Sequence, residues 1–351
     1  MIDKDFCLSS YMAFRYIWKD GIDFAEGLQH KNFHLIDEKE RILVKTSEDI
    51  DYAIQKQIDE LYHKYNSIGI LLSGGMDSAN LATYLKPGSH AYTFTSETGV
   101  FNADVERAKG YCEKWNLQHH LVEITFEDYK RYTPIVMEKK CAPVHCIEPQ
   151  IYKASIMAKE DGVECILIGD GADYVFGGMD KLLSKDWEFN EFVKRYIFLD
   201  PNLVLCKSVD MTEPFEVYRK DDNRIDFLGF MDNICTIESY SSYDNAFAAA
   251  QMPYCDPYSC LRMSEPLDMT RIRNGEPKYL IRGLYAMKYP GLEVPSKIPM
   301  PRPVDVFFKD WQGPAGGVFR KGINMNKLTG NQKWQLWCAE LFLGMIDKDR
   351  L

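Results

Sequence analysis

Residues 68–78 read Ile-Gly-Ile-Leu-Leu-Ser-Gly-Gly-Met-Asp-Ser, and this stretch decides the fold. The apolar run at 68–72 is typical of a strand buried inside a parallel sheet. Two glycines, Gly74 and Gly75, break the run, and the leucine spacing at 78–85 then indicates a helix. A strand, a glycine-rich turn and a helix start direct backbone amides and the positive end of the helix dipole to one side, which favours anion binding.

Residues 73–78 carry a more specific pattern, Ser-Gly-Gly-x-Asp-Ser. This string resembles the signature of the PP-loop ATP pyrophosphatase superfamily at every fixed position. Within it, Asp77 lies where a magnesium ion would be needed to balance phosphate charge. The stretch is neither a Walker A loop nor a dinucleotide fingerprint, because neither glycine pattern occurs in the chain.

The composition limits the classes of protein to which this chain can belong. The chain has 351 residues, of which 46% are hydrophobic, as expected of a globular enzyme with roughly two domains. Its net charge of −10 argues against nucleic acid as a partner, because the phosphate backbone requires clustered Lys and Arg. No apolar run approaches the ~20 residues of a membrane span, so we expect no membrane contact and a cytoplasmic location. The ten dispersed cysteines are expected to be reduced and mostly buried.

Three regions are predicted along the chain. Residues 1–65 would form an N-terminal cap of irregular short pieces and a lead-in helix that begins after Thr46. Residues 66–184 would form the nucleotide-binding core, and residues 185–351 a mainly helical lobe that completes the active site. The elements expected in the lobe are helices at 185–199, 227–250, 278–287 and 333–345 and proline-rich loops at 253–266 and 290–314.

The core is predicted from its alternation of strands and helices. The predicted strands are 68–72, 90–95, 120–124 and 164–169, and the predicted helices are 78–85, 102–115, 125–140 and 149–160. This alternation predicts an α/β fold with a doubly wound parallel sheet, in which ligands bind at the carboxyl ends of the strands. Ser73 and Gly169 would both lie at that edge, so we expect both to contact the bound cofactor.

A second loop follows the last of these strands, at residues 168–179, and contains four glycines and the carboxylates of Asp170 and Asp173. From the residues alone, a solvated acidic turn is an equally good interpretation. The sheet topology favours a site, because it brings this loop beside residues 73–78. Asp77 and Asp173 would then ligate one magnesium ion from two sides.

Together the two loops resemble a known family. The string Ser-Gly-Gly-x-Asp-Ser followed by Gly-x-Gly-Ala-Asp-x-x-Phe-Gly-Gly is similar to the synthetase domain of asparagine synthetases, and the resemblance runs from about residue 67 to residue 303. It implies a sheet of the adenine nucleotide α-hydrolase-like type and the use of ATP and Mg²⁺. The residues it implies are Ser73, Gly74, Gly75, Asp77 and Ser78 for the pyrophosphate of ATP, Leu71 and Phe94 for the adenine, Asp77 and Asp173 for the metal, and Lys278 as the active-site lysine.

The chemistry explains why such residues are needed. ATP activates a carboxylate through attack on the α-phosphorus, with pyrophosphate as the leaving group. Amides and a magnesium ion that stabilise the leaving charge therefore lower the barrier. A lysine near the α-phosphate would stabilise charge there and at the later tetrahedral centre. Without the resemblance, Lys278 would be interpreted as a surface lysine.

Asp170 departs from the family pattern. Asparagine synthetases carry Glu at this position and relatives that close β-lactam rings carry Tyr, and this residue helps to deprotonate the attacking amine. We take Asp170 as the candidate for this catalytic role, while its shorter side chain leaves the position and the identity of the nucleophile open. Glu148 is a candidate partner on that side, but we prefer to interpret it as an acid at a helix start.

The source of the amine also differs from the glutamine-dependent enzymes. Those enzymes begin with a catalytic cysteine directly after the initiator methionine, whereas Met1 is followed here by Ile2, and Cys7 has no free amine to act as its base. We therefore expect ammonia from solution or from a separate glutaminase or other biosynthetic partner protein, or another amine as nucleophile. The arginines that can pair with a substrate carboxylate, among which the sequence does not choose, are Arg195, Arg271, Arg273 and Arg302.

The sequence thus predicts an AMP- and pyrophosphate-forming amide ligase that adenylates a small carboxylate and transfers the acyl group to ammonia or another amine. Two alternatives stay open at this point. One is a PP-loop enzyme that modifies a tRNA base, against which the acidic charge argues. The other is a protein that binds ATP without catalysis and regulates a biosynthetic partner.

Overall fold

The computed structural model describes residues 1–99, 102–295 and 302–348. Five strands form one sheet in the order β4-β3-β2-β5-β6, and every neighbouring pair is parallel. A separate two-stranded parallel sheet joins β1 to β7. The strands are β1 (Ile42–Val44), β2 (Ile68–Leu71), β3 (His90–Thr95), β4 (Gln118–Glu123), β5 (Cys165–Leu167), β6 (Tyr254–Cys255) and β7 (Leu261–Met263).

Helices surround this sheet and fill the C-terminal half of the chain. They are α1 (Lys4–Phe14), α2 (Ser47–Lys64), α3 (Met76–Ala82), α4 (Asn102–Trp115), α5 (Phe126–Lys140), α6 (Glu148–Glu160), α7 (Gly171–Val175), α8 (Asp180–Leu183), α9 (Phe189–Tyr196), α10 (Pro201–Val204), α11 (Glu213–Glu216), α12 (Phe227–Phe230), α13 (Thr236–Ala250), α14 (Met269–Arg273), α15 (Tyr279–Lys288), α16 (Val304–Phe307) and α17 (Gly330–Ile346). A π-helical turn at Met231–Cys235 joins α12 to α13, and a 3₁₀ turn lies at Met325–Lys327.

The two faces of the sheet are covered by different helices. Buried residues of α2, α3, α4 and α15 form one hydrophobic cluster, while those of α1, α5, α6, α13 and α17 form a second. Successive side chains of a strand point to opposite faces of the sheet, so the strands contribute to both clusters. Ile70 of β2 belongs to the first cluster, and Tyr92 of β3 belongs to the second. The predicted α/β fold with a doubly wound parallel sheet and a mainly helical C-terminal part is therefore confirmed.

Local signals that the sequence shows clearly also appear in the structure. Helix α2 begins after Thr46, whose hydroxyl accepts from the amide of Asp49 while the Asp49 carboxylate accepts from the amide of Thr46. This reciprocal cap fixes the helix start. Strand β3 and helix α4 have the predicted bounds. The ten cysteines are free thiols, and six of them are buried.

Among the differences from the prediction, three are the largest. Helix α3 begins at Met76 rather than at residue 78 and ends at Ala82, because its first turn grows directly out of the glycine turn. The predicted loop at 253–266 contains β6 and β7, two short strands that a proline-containing stretch did not reveal. Within the predicted irregular N-terminal cap, residues 4–14 form helix α1, in which residues 6–14 are all buried. A helix buried on every side lacks the apolar period that identifies a surface helix.

The two ends of the chain meet on one side of the sheet. The hydroxyl of Tyr11 in α1 and the indole N–H of Trp334 in α17 both donate to the carbonyl of Val144, at 2.8 and 3.0 Å. Of the predicted loop at 290–314, residues 304–307 are helical, and residues 296–301 lie outside the described part. The three-region division of the chain stays a prediction. Among the described residues, no helix combines the length and apolar character needed to cross a membrane.

Candidate active site

A cavity of about 950 Å³ opens at the carboxyl ends of the strands. Strands β2, β3 and β5 end at this edge, and the loops that follow them line the cavity. The predicted site residues that line it are Leu71, Ser73, Gly75, Asp77, Ser78, Phe94, Gly169, Asp170, Asp173 and Lys278. Gly74, within the first loop, is buried. The structure thus brings the predicted residues to one place, while their roles stay predictions.

The first loop, at residues 73–78, is held by its own two serines. The hydroxyl of Ser78 accepts from the backbone amide of Ser73 at 3.1 Å and lies 3.0 Å from the Ser73 hydroxyl. Gly74 is required because a Cβ there would lie 2.8 Å from Cα of Asp104 and 2.6 Å from Nε of Arg107. Among the described residues, no side chain caps the first turn of α3, which starts at this loop. The loop therefore presents backbone polar groups to the cavity in a fixed arrangement.

Lys278 joins the two acidic loops. Its ammonium group lies 2.6 Å from Oδ2 of Asp77 and 2.7 Å from Oδ1 of Asp173. The side chain of Lys278 is buried, whereas both carboxylates are about a quarter exposed on the cavity side. Burial lowers the pKa of Lys278, but the two carboxylate charges outweigh burial, and the net shift of the pKa is upward. Lys278 is therefore a permanent cation in the cavity wall.

The backbone around this ion cluster leaves little freedom. Lys278 itself has left-handed dihedral angles, with φ 53° and ψ 41°, although it is not a glycine. A Cβ added at Gly178 would overlap Oδ1 of Asp173 and would lie 2.6 Å from Cε of Lys278. Strained positions of this kind persist only where the surroundings hold them, and they concentrate at functional sites.

Asp77 and Asp173 are also the candidate ligands for a divalent cation. Asp77 and Asp173 direct carboxylate oxygens at one point, which the Lys278 ammonium occupies in this structure. Magnesium prefers a few carboxylate oxygens together with phosphate oxygens of a substrate. The donor set is therefore of the kind that magnesium takes beside a nucleotide.

Asp170 lies next to this cluster, at the start of α7. Its Oδ2 accepts a 2.6 Å hydrogen bond from the hydroxyl of Ser239 in α13. Burial raises the pKa of Asp170 to about 7 against the pull of that hydrogen bond, and the charges of Asp173 and Asp256 add to the rise. A carboxylate with this pKa changes its protonation near neutral pH and can accept a proton from an amine.

Asp256 holds the second loop, at residues 168–179, through hydrogen bonds of its carboxylate. Its carboxylate accepts from the amide of Gly171 at 2.7 Å, from the hydroxyl of Tyr240 at 2.6 Å and from the amide of Tyr258 at 3.1 Å. The residue follows β6 directly and is buried. The sequence did not identify this role, because β6 itself was predicted as loop.

The far end of the cavity is lined by residues from three distant parts of the chain. Arg15 follows α1, His145 lies in the loop between α5 and α6, and Glu238 lies in α13. The Arg15 guanidinium contacts Glu238 Oε2 at 3.0 Å and His145 Nε2 at 3.0 Å, and lies 3.8 Å above the ring of Phe198. Nothing in the sequence marked these residues, since no local pattern links them.

Glu148 has a different place from the one considered for a catalytic partner. It is fully buried at the first position of α6, outside the cavity wall. Its carboxylate accepts from Lys140 Nζ at 2.7 Å, from the amide of His145 at 2.8 Å and from Asn245 at 2.6 Å. It therefore holds the loop that carries His145, at the helix start where the sequence interpretation placed it.

The structure also distinguishes the four candidate arginines. Arg195 and Arg302 line the cavity, and Nε of Arg302 is buried without a hydrogen-bond partner among the described residues. Arg271 and Arg273 instead pair with exposed carboxylates, at 2.7 and 2.8 Å. Only the first two are therefore placed to meet a substrate inside this cavity.

The parallel sheet brings two acidic loops and a buried lysine together at its carboxyl edge, where open α/β sheets bind ligands. Comparison with known proteins gives the family. The sequence model of asparagine synthase matches residues 49–228, and the chain belongs to the asparagine synthase family, a family of ATP-utilising amide ligases and synthetases. The matched region includes Asp77, Asp170 and Asp173 but ends before Glu238 and Lys278.

Individual relatives are more distant. A putative glutamine-hydrolysing asparagine synthetase 1 of Methanocaldococcus jannaschii is 29% identical over 168 residues, which are 46% of this chain and 30% of that protein. The chain thus matches under a third of the length of this relative. An NMN synthetase structure from Francisella tularensis covers 73% of this chain and 100% of its own, with 11% identity and a TM-score of 0.29. That similarity is too weak to support a statement about fold or function.

Proposed function

We propose that this protein is an ATP-dependent ligase that adenylates a small carboxylate, releases pyrophosphate and transfers the acyl group to ammonia or another amine. The observation that supports this proposal most is the convergence of Asp77, Asp173 and Lys278 within 2.7 Å at the carboxyl edge of the sheet. A cytoplasmic location and the use of a separate ammonia-producing partner stay predictions.

In the proposed first step, a carboxylate oxygen attacks the α-phosphorus of ATP and the bond to the bridging oxygen of pyrophosphate breaks. Leu71 and Phe94 supply the wall for the adenine, and the loop at 73–78 receives the leaving pyrophosphate. The ammonium group of Lys278 stabilises negative charge that develops around the α-phosphate. Magnesium, held by Asp77 and Asp173, would supply further neutralisation of the phosphate charge.

In the proposed second step, an amine attacks the acyl carbonyl and AMP leaves. A neutral amine is the nucleophile, so a proton must go to an acceptor as the new bond forms. Asp170 is the acceptor in this proposal, because it lines the same cavity and its pKa of about 7 lets it take the proton at neutral pH. Ser239 holds the carboxylate in one orientation through its 2.6 Å hydrogen bond.

The test is a screen for pyrophosphate release with ATP, magnesium, a panel of amino acids and small acids, and ammonium or simple amines. Mass spectrometry of each positive mixture should show AMP and an amide in equal amounts. Asp59→Asn, which changes an exposed aspartate on α2, is the matched control for variants of the cavity aspartates and should behave as wild type. ATP binding without AMP formation from any pair would contradict the proposal and favour the regulatory alternative.

A further inference from the structure

A second cluster of titratable side chains lies on strands β3 and β4 and at the end of helix α6. Nδ1 of His90 is 2.9 Å from Nε2 of His120. Oδ2 of Asp161 is 4.0 Å from Nδ1 of His90 and 3.5 Å from Nδ1 of His120. One candidate ligand atom from each of the three residues lies within 4.8 Å of the other two. None of the three lines the cavity described above, so the cluster is separate from the candidate active site.

The pairing of the strands places the two histidines together. Parallel pairing sets His120 of β4 opposite Tyr92 of β3, which is two residues after His90, so both imidazoles lie on one face of the sheet. Their rings are stacked, with centroids 4.9 Å apart. The hydroxyl of Tyr92 donates to Oδ2 of Asp161 at 2.8 Å and so holds the carboxylate beside the two rings.

Helix α6 delivers Asp161 to the same place. The helix packs on the face that contains Tyr92, and its end is fixed because the amide of Val163 donates to the carbonyl of Ala158. An acid at this end opposes the helix dipole, whose negative pole is the C-terminus. Lys159 in the last turn donates to a backbone carbonyl instead, and among the described residues no lysine or arginine forms an ion pair with Asp161. The position of this carboxylate therefore does not serve the helix.

The separations suit the ligands of one metal ion better than a set of hydrogen bonds. Hydrogen bonds from N–H to oxygen span about 2.7–3.2 Å, so the Asp161 oxygen is too distant from both imidazoles. Two ligand atoms on a tetrahedral ion, with bonds of about 2.0–2.1 Å, lie about 3.3 Å apart. The observed separations of 2.9, 3.5 and 4.0 Å lie on both sides of that value.

The ligand types indicate the class of metal. Two imidazoles and one carboxylate are ligands that zinc accepts, whereas magnesium and calcium prefer oxygen ligands alone. The side chains of His90, His120 and Asp161 are 18%, 26% and 33% exposed, so an ion can enter from solvent and water can complete its shell. The contact from Tyr92 orients the carboxylate, as outer-shell partners do at metal sites.

We propose that His90, His120 and Asp161 bind a divalent ion of the zinc class, which joins β3 and β4 to the end of α6. The site goes beyond the proposed ligase function. His90 precedes Phe94 of the cavity wall by four residues of β3, which is about 13 Å at ~3.3 Å per residue. The ion stabilises the fold, because only the folded chain brings the three ligands together.

The first test measures zinc uptake by the full chain without an affinity tag, using equilibrium dialysis and metal analysis. Excess magnesium is present throughout to occupy sites made of oxygen ligands alone. Wild type should bind one zinc ion per chain, and its melting temperature should rise with the zinc concentration. His120→Asn and Asp161→Asn should each weaken binding at least about 100-fold. His63→Asn, at an exposed histidine of α2, is the matched control and should bind as wild type does.

The second test uses cobalt(II) to identify the ligands. The wild-type complex should show visible absorption bands of a four-coordinate ion without the near-ultraviolet charge-transfer band of a bound thiolate, which distinguishes this site from the free cysteines. His120→Cys should add the thiolate band, because its sulfur would take the place of an imidazole ligand. A residue that only packs beside the ion would not produce this band.

Three results would overturn the site: no zinc uptake by wild type, unchanged uptake by both His120→Asn and Asp161→Asn, or a thiolate band in the wild-type cobalt complex. If His120→Asn melts before the assay temperature, Asp161→Asn, the most exposed of the three positions, decides the outcome. Uptake of zinc is measured without ATP, so failure of the ligase proposal and failure of this site are separate results.

Discussion

The two ends of the cavity are built in different ways. The nucleotide end consists of short loops that directly follow strands of the sheet, together with Lys278 at the start of α15. The far end joins Arg15 to His145 and Glu238, which lie 130 and 223 residues further along the chain. Both ends exist only once the chain has folded, since Lys278 pairs with Asp77 from 201 residues away. The loops of the first end carry recognisable sequence motifs, whereas the residues of the second do not. Chemistry shared by the family is therefore expected at the first end and substrate choice at the second.

The largest effect is expected from variants that remove the acidic side chains of the nucleotide end. Asp77→Asn and Asp173→Asn each remove one of the two carboxylate charges that face Lys278. We expect carboxylate-dependent exchange of pyrophosphate into ATP to fall at least about 10³-fold, because stabilisation of developing charge is usually the largest catalytic contribution. Thermal melting should show that both variants fold. Near-normal exchange in both would refute the metal and phosphate assignment.

The contrast also explains what could be predicted from the sequence. The alternation of strands and helices and the glycine turn after a buried strand are local patterns, and they predict the sheet. Lys278 carries no such pattern, and only the resemblance to a known family places it at the site. Helix α1 was missed because burial on all sides removes its period, and β6 was missed because two residues beside a proline carry no strand signal. With those elements unassigned, the approach of Arg15 to Glu238 and the support of Gly171 by Asp256 were out of reach.

A second prediction concerns the buried ion pair of Lys140 and Glu148, which holds the loop that carries His145. Glu148→Gln leaves the ammonium group of Lys140, which is 4% exposed, without its ion-pair partner. Breaking a buried pair in this way costs about 3 kcal/mol or more in the free energy of unfolding. Urea denaturation measures the loss. The double variant Lys140→Met with Glu148→Gln should recover part of it, because it removes the unpaired charge while glutamine keeps an oxygen acceptor for its buried neighbours. Equal stability of Glu148→Gln and wild type would contradict this role.

A third prediction separates the two chemical steps by pH. Because the pKa of Asp170 is raised to about 7, amide formation should increase as the pH rises through that value, while exchange of pyrophosphate should not follow the same profile. Asp170→Asn should lower amide formation about 10²-fold and remove the dependence.

The same raised pKa has a consequence for stability. The folded protein keeps the Asp170 proton between the unfolded pKa and about pH 7, so the contribution of this group to stability declines as the pH rises across that window. The free energy of unfolding of Asp170→Asn, relative to that of wild type, should therefore be higher at pH 8 than at pH 5.

An amide-formation profile that is flat in wild type would contradict the assignment of Asp170 as proton acceptor.

The smallest predicted effect lies where the two ends meet, at Ser239. Its hydroxyl donates to the ionised carboxylate of Asp170 and so opposes the rise in the pKa. Ser239→Ala should move the midpoint of the amide-formation profile upward by about one pH unit, because one hydrogen bond to a charged group is worth about that much. Ser239→Thr keeps the hydroxyl and is the matched control. A midpoint that stays in place or moves down in Ser239→Ala would show that Asp170 acts without this contact, and that α13 couples the two ends only through Glu238.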